Sequence, residues 1–334
     1  MFGKPSSEDV QDLWFFLAPQ FSMMAFASAV EPLRAANRMA GRTLYTWRTL
    51  TAGGAPATAS NGVQVTPDGG LQSAAPRPAA IFVCAGIGVE RFRDRPVFAW
   101  LRRMAGQGVP IGGLCTGPLI LTRAGLLEGV RCTVHWETVE PFVEEFPDLA
   151  MTATLFEIDR DRFTCSGGTA ALDMMLHLIA LDHDRDLAIQ AAEQMLHTLL
   201  RPSSDPQRMA LRYRTNIRDA KVLAAIAAME AHLEAPLTTE AIAAGVHLSP
   251  RQLERLFQGH MGTTPSRYYQ DLRLKRARLL LGQTSMSVTE VAHACGFCSA
   301  SHFARSYRGR FGHAPRAERP DRAHPVTSRS TGDG

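Results

Sequence analysis

The chain of 334 residues is expected to fold as two units, an open α/β sheet with helices on both faces and, after it, an all-α unit built on two helix-turn-helix motifs. Three observations predict this. Short apolar runs of strand length alternate with longer helical patterns over residues 12–200. A Gly-x-Cys-x-Gly sequence, Gly113-Leu-Cys-Thr-Gly117, falls between one such run and the next helix. Residues 237–319 then repeat themselves at an offset of fifty, with Glu240 returning as Glu290, Ala244 as Ala294, Ser249 as Ser299, Arg255 as Arg305, Gly262 as Gly312 and Pro265 as Pro315, which marks two copies of one unit.

The α/β half opens on Leu13-Trp-Phe-Phe-Leu-Ala, an apolar run suited to a central strand, and continues into a helix over 22–39. Strands follow over 45–51, 63–66 and 79–85, the last buried by its unbroken apolar content. A helix over 96–106, a strand over 109–114 and a helix over 118–127 come next, then a short strand over 131–134 and another at Phe163-Thr-Cys-Ser. Helices over 170–180 and 185–200 close this half; the stripe Leu187, Ala188, Ala191, Met195, Leu196 and Leu199 of the second suits either core or a dimer seam. Arg201-Pro-Ser-Ser-Asp-Pro-Gln is a Pro/Ser-rich break. The boundaries are therefore expected at 10–200 for the first unit, 201–218 for a linker, 219–319 for the second unit and 320–334 for a polar, disordered tail.

The glycines of the elbow permit a sharp, crowded turn that projects Cys115 from a strand end beside a helix N-terminus, whose dipole favours a thiolate. His135 arrives twenty residues later in His135-Trp136-Glu137, and reads either as an acid–base group or as a satisfied structural histidine. Ligands of open α/β sheets bind beyond the carboxyl ends of the strands. A pocket is thus expected to gather Phe21 and Ser22 after the first strand, Gly86 after the strand ending at Cys84, Cys115 and Thr116 at the elbow, His135 and Trp136, and Gly168 after the last strand. Phe21 and Trp136 suit a cation held over aromatic faces; the competing reading keeps both in the core.

With 45% hydrophobic and 20% charged residues, no apolar run long enough to span a bilayer and no signal-peptide core at the start, the composition points away from a membrane partner and towards the cytoplasm. Six cysteines fit a reducing compartment without a disulfide framework. Cys295-Gly-Phe-Cys298 has the spacing of a redox or metal pair, but it lies in a helix-turn-helix turn with no second pair nearby, so no metal and no cofactor is expected.

In the second unit a helix over 219–233 leads into the repeat. The first copy offers a short helix with apolar positions Ala241, Ile242 and Ala244, a turn at Gly245, and Ser249 as the cap of a second helix over 250–261 whose first turn accepts Pro250. That helix turns Leu253, Leu256 and Phe257 inward and leaves Arg251, Glu254 and Arg255 outward. The second copy has Val288, Val291 and Ala292, then Ser299 as cap, Phe303 and Tyr307 inward, and Ala300, Ser301 and Arg305 outward. One helix over 265–281 joins the copies, with Tyr268, Tyr269, Leu272 and Leu279 to pack. Between Ser249 and Arg322 thirteen Lys or Arg face five Asp or Glu, whereas the whole chain carries only +4. Such a basic surface releases counterions from DNA; solvated faces of a helical bundle would explain the charge alone, but not the duplicated motif.

This second unit resembles the AraC/XylS family of transcription factors, through Ser249-Pro-Arg-Gln-Leu-Glu-Arg-Leu-Phe, Arg273-Leu274 and Gly296-Phe-Cys-Ser-Ala-Ser-His-Phe-Ala-Arg305. The resemblance implies two recognition helices in successive major-groove segments on one face of promoter DNA, about 34 Å apart. Carried over position by position, the base-reading residues are Arg251, Glu254 and Arg255 in the first helix and Ala300, Ser301 and Arg305 in the second. Ala300 is too short to donate, so the second helix is expected to work more through phosphates and thymine methyls.

Most of residues 12–200 resembles the PfpI/ThiJ-like branch of the class I glutamine-amidotransferase superfamily, which implies a flavodoxin-like open sheet with its elbow cysteine and admits amide or carbonyl chemistry at Cys115 and His135. The acidic residue that such enzymes set beside the thiol would fall near Ala25, and Glu31 lies six residues further along the helix and points elsewhere. Cys115 and His135 are therefore read as vestiges in the wall of a pocket. Joined together, the two units resemble GlxA-type regulators within the AraC family, closest to members that respond to arginine or to betaine- and carnitine-like amines. What this implies is a ligand-responsive transcription factor whose partners are promoter DNA, a small effector, a second protomer and, as a candidate, RNA polymerase. A Cys-dependent enzyme fused to a DNA-binding unit and a thiol sensor acting through oxidation of Cys115 are the alternatives.

Overall fold

The computed structural model describes residues 9–72 and 77–319, and the chain divides into two compact units, Met1–Met209 and Ala210–Gly334. The expected tail over 320–334 lies outside the described residues.

In the first unit β1 (Gln11–Leu17) leads through α1 (Met23–Ala40) to β2 (Tyr45–Thr51). After them come β3 (Ala57–Thr58), β4 (Gln64–Val65), β5 (Gly69–Gly70), β6 (Ala80–Ala85), α2 (Arg95–Gly106), β7 (Ile111–Cys115) and α3 (Gly117–Arg123). Then β8 (Arg131–Cys132), α4 (Trp136–Glu145), β9 (Ala150–Met151), the β10 (Phe156–Asp159) and β11 (Arg162–Cys165) hairpin, α5 (Ala170–Asp182) and α6 (Arg185–Gln194) complete the unit. Seven strands form one sheet in the order β10-β11-β7-β6-β1-β2-β5, parallel except for the β10–β11 pair. The strand expected over 63–66 is β4, which pairs only with β3, outside the main sheet.

Because side chains alternate along a strand, β1 feeds two cores. Leu13, Phe15 and Leu17 join α1, α5 and α6 on one face, while Trp14 and Phe16 join Phe98, Leu119 and Phe142 of α2, α3 and α4 on the other. Phe15 stacks on Phe82 at 5.4 Å and Phe82 on Phe163 at 6.1 Å, across Gly112 of β7. A Cβ there would stand 2.6 Å from the Phe82 ring, so the glycine is what lets this ring ladder close.

One expectation fails here. The helix read over 185–200 stops at Gln194, and Leu196, 88% exposed, takes a left-handed φ of 57°. Of the stripe only Ala188 and Ala191 are buried, with Ala192 beside them, since small side chains let α6 lie close on α1 and α5. The segment after it, expected as a linker, contains the division between the units at Met209 and Ala210, and its first residues are held to the first unit. Arg201 donates through Nε at 2.9 Å to Asp173, a carboxylate buried in the first turn of α5, and the Ser203 carbonyl accepts from the Leu155 amide at 2.8 Å.

The second unit consists of α7 (Leu211–Thr215), α8 (Ala220–Ala231), α9 (Thr239–Gly245), α10 (Pro250–Met261), α11 (Pro265–Gln283), α12 (Val288–Ala294) and α13 (Ala300–Phe311). One core gathers α8, α9, α10 and Tyr269 of α11; the other gathers Leu274, Ala277, Leu280 and Leu281 of α11 with α12 and α13. The two copies differ by one residue. Recognition helices α10 and α13 are offset by fifty, but α9 and α12 by forty-nine, as are their caps Thr238 and Ser287. The left-handed turn residue is His247 (φ 56°) in the first copy and Gly296 (φ 70°) in the second, not Gly245. Hence Ile242 and Ala243 are buried on α9 whereas Ala241 and Ala244 are exposed, and Cys298 is the extra residue of the second turn. Among the described residues no helix is long and apolar enough to cross a membrane.

Candidate ligand site and nucleic-acid interface

The carboxyl ends of β1, β6, β7 and β11 meet where the sequence sets the elbow. Gly86 is the junction: it bridges to Phe21, and a Cβ on it would fall 2.2 Å from the Gln20 carbonyl oxygen. The Ser22 amide donates to the Ala85 carbonyl at 3.3 Å, and the Thr116 hydroxyl donates to the Gly86 carbonyl at 2.8 Å instead of capping α3. Ser22 uses its hydroxyl as the cap of α1, accepting from the Ala25 amide at 3.3 Å. Gly113 and Gly117 are required by contact, since Cβ atoms would sit 2.7 Å from the Pro118 nitrogen and 2.1 Å from the Val83 carbonyl oxygen.

Cys115 holds a left-handed φ of 61°, the strained elbow conformation. A Cβ on Gly167 would stand 2.6 Å from the Cys115 Cβ, so the 167–169 turn, with Gly168 at φ 56°, presses directly on the elbow. On the other side the His135 amide donates to the Cys115 carbonyl at 3.1 Å. The structure thus brings Cys115, Thr116, His135, Gly86, Ser22 and the 167–169 turn to one sheet edge.

Burial works against the expected thiolate. Burial, with Cys165 alongside, pushes the Cys115 thiol up to about 12, and the hydrogen bond from the Thr116 amide opposes this only in part. Desolvation outweighs the α3 dipole because Cys115 is 8% exposed. His135 caps α4, its Nδ1 accepting from the Glu137 amide at 3.4 Å, and burial lowers its pKa while Glu137 pulls the other way. Both features favour the neutral form of the imidazole. Ala25 is buried in the first turn of α1, and Glu31 is engaged with Arg34 at 2.6 Å. Among the described residues no group of three or more His, Cys, Asp or Glu is arranged to hold a metal ion.

The expected aromatic pair is split. Phe21 is fully buried, edge-on to Phe26 at 5.9 Å, and serves the core. Trp136, 39% exposed, lies at the rim with its ring 5.7 Å from that of His135. Its face carries the guanidinium of Arg208 at 4.6 Å, a contact that spacing in sequence gave no means to find.

In the second unit each recognition helix is set by its cap. Ser249 and Gln252 form a capping box on α10, and the Ser299 hydroxyl accepts from the His302 amide at 3.2 Å on α13. Leu253 and Phe257, and in the second copy Phe303 and Tyr307, are buried; Arg251, Glu254, Arg255, Ala300, Ser301 and Arg305 are all exposed. A concavity of about 450 Å³ on α13 is lined by Ser301, Ala304, Arg305, Arg308 and Gly309. Arg273, one of the thirteen basic residues between Ser249 and Arg322, buttresses the second turn: it donates to the Cys295 and Gly296 carbonyls at 2.7 Å each and lies 4.2 Å over Phe297.

An α/β unit with an elbow cysteine, followed by twin capped recognition helices, defines a DNA-binding transcriptional regulator with an α/β domain joined to its reader. Residues 13–181 match the DJ-1/PfpI family and residues 242–320 match a helix-turn-helix domain family. The chain is 47% identical over 315 residues to the HTH-type transcriptional regulator GbdR of Pseudomonas aeruginosa, covering 94% of this chain and 86% of that protein. It is 37% identical to the HTH-type transcriptional regulator GlxA of Rhizobium meliloti, covering 94% and 97%. A crystal structure of an AraC family transcriptional regulator from Pseudomonas putida superposes with a TM-score of 0.51 at 26% identity, over 55% of this chain and 99% of that one. The chain belongs to this family of HTH-type transcriptional regulators, GlxA-type proteins that join a DJ-1/PfpI domain to an AraC-type DNA-binding domain.

Proposed function

We propose that residues 10–200 sense a small amine or amino-acid-like metabolite, such as arginine, glycine betaine or carnitine, without chemical turnover, and that residues 219–319 convert its binding into altered promoter occupancy. The observation that carries the non-catalytic reading is the buried Cys115 thiol, raised to about 12, with alanine where a polarising acid would stand. The exposed Trp136 face, already seating a cation, supports a cationic effector. Arg251, Glu254, Arg255, Ala300, Ser301 and Arg305 line the DNA-reading surface, and Ser22, Gly86, Cys115, Thr116, His135, Trp136 and Gly168 the effector site. The active species is a cytoplasmic homodimer whose DNA-bound form meets RNA polymerase. An effector regulates only through unequal affinity for two arrangements.

The test uses the full chain and promoter fragments that it selects from random-sequence DNA. An amine that both stabilises the protein thermally and changes its affinity for the selected site supports the reading. Loss of the response in Cys115→Ser together with turnover of the amine by the unmodified chain would establish an enzyme instead, and a response to peroxide alone would establish a thiol sensor.

A further inference from the structure

Residues 201–209 form a strap fastened at both ends to the rim of the Cys115 site. At its start Arg201 donates to Asp173 and, at 2.7 Å, to the hydroxyl of Thr169, beside the glycines that press on Cys115. Midway Pro206 bridges to Thr154. Near its end Nε2 of Gln207 donates to the Thr133 hydroxyl and the Val134 carbonyl at 3.0 Å and to the Thr154 carbonyl at 2.8 Å. Arg208 then lays its guanidinium on the face of Trp136. Two residues later, at Ala210, the second unit begins.

Two features make this strap releasable. Nε2 offers two hydrogens to three acceptors, while Oε1 of the same Gln207 side chain is buried with no partner, so closure leaves an acceptor dry. The Trp136 face, moreover, is a surface on which an ammonium group competes directly with a guanidinium. We propose that Arg208 is the internal occupant of a cation subsite on Trp136, and that the ammonium group of an effector displaces it and frees the end of the strap that leads into the DNA-binding unit. The proposal rests on the amine-sensor reading above. Arg208 then governs affinity by competition and output by release, because only a ligand that takes the Trp136 face alters the strap.

Tetramethylammonium is the probe, since it presents the cation alone, and its binding to the full chain is followed by isothermal titration calorimetry. Arg208→Met keeps the apolar stem and removes the charge at an exposed position. It is expected to bind the probe about fivefold more tightly than the unmodified chain, the worth of one exposed cation–π contact. Its affinity for the selected promoter fragment should no longer respond to the probe, whereas that of the unmodified chain should. Trp136→Ala should lose probe binding. Equal probe affinity in Arg208→Met and the unmodified chain, with Trp136→Ala still deficient, overturns the internal-occupant proposal and leaves the sensor reading standing; so does a DNA response preserved in Arg208→Met. Probe binding retained in Trp136→Ala, or absent from both the unmodified chain and Arg208→Met, overturns the two together.

Discussion

Alkylation of the native chain by iodoacetamide measures directly whether Cys115 retains chemistry. The reagent reacts with thiolate, and burial moves the Cys115 thiol from 9.0 to about 12. That lowers its thiolate fraction at neutral pH about a thousandfold, before any hindrance from the residues that bury it. Cys298, exposed in the second turn, serves as the internal standard. In peptide mass mapping of a time course at pH 7.5, Cys115 of the native chain should label at least about a thousandfold more slowly than Cys115 of the urea-unfolded chain, while exposed Cys298 reports that reagent is available in both. Comparable rates, or a Cys115 rate half-maximal below about pH 8, would refute the reasoning and return the site to catalysis or redox sensing. The sign of the shift also fixes a stability effect. Cys115 is raised to about 12 and Cys165 to about 11, so the unfolded thiols ionise first as pH rises. Their contribution is complete below about pH 9 and is lost towards pH 11–12, amounting to about 2 kcal/mol for each by pH 10.5. Urea unfolding at pH 7.5 and 10.5 reads the difference, and Cys165→Ser should reduce it.

Arg255→Ala should lower affinity for the selected DNA site about tenfold and relax base preference in one half-site; an unaltered selected sequence removes Arg255 from the reading surface. His247→Gly relieves a left-handed non-glycine residue and should stabilise the second unit by about 0.5 kcal/mol. The mirror change, Gly296→Ala, places a Cβ 2.5 Å from Pro236 Cγ and 2.8 Å from the Glu234 carbonyl oxygen, and should cost about 2–4 kcal/mol in thermal or chemical unfolding. Opposite signs at these two positions are what the one-residue slip between the copies requires; equal signs contradict it.

What could be read from the sequence was local. Ser249-Pro250 and Ser299 fix the starts of α10 and α13 because a cap and its helix are neighbours in the chain, and the Phe257 and Tyr307 phases follow from helical period alone. The elbow was legible for the same reason, as three glycines around one cysteine admit few other turns. Burial was not. The dipole beside Cys115 is visible in sequence, whereas the desolvation that outweighs it comes from β6, about thirty residues before it, and from Cys165 and the 167–169 turn, about fifty residues after it. Residues 201–207 have the composition of a linker, and only folding brings Arg201 to Asp173 and Gln207 to Thr133. Leu196 and Leu199 continue the stripe of α6 on paper, but the helix ends before them. The fifty-residue repeat concealed the slip because Glu240 and Glu290 coincide by letter while Ala241 is the residue that shares the place of Glu290 behind the cap.

Helix α11 belongs to both cores, with Tyr269 in one and Leu274 to Leu281 in the other. Its 19 residues make a bar about 28 Å long that neither bends at a proline nor contains a break. It therefore works as a gauge. Inserting one base pair between the two contacted DNA segments swings one of them by about 35° around the duplex axis, and the bar has no joint with which to follow. Operators for this protein should tolerate base changes at many positions yet fail on a single insertion between the two segments.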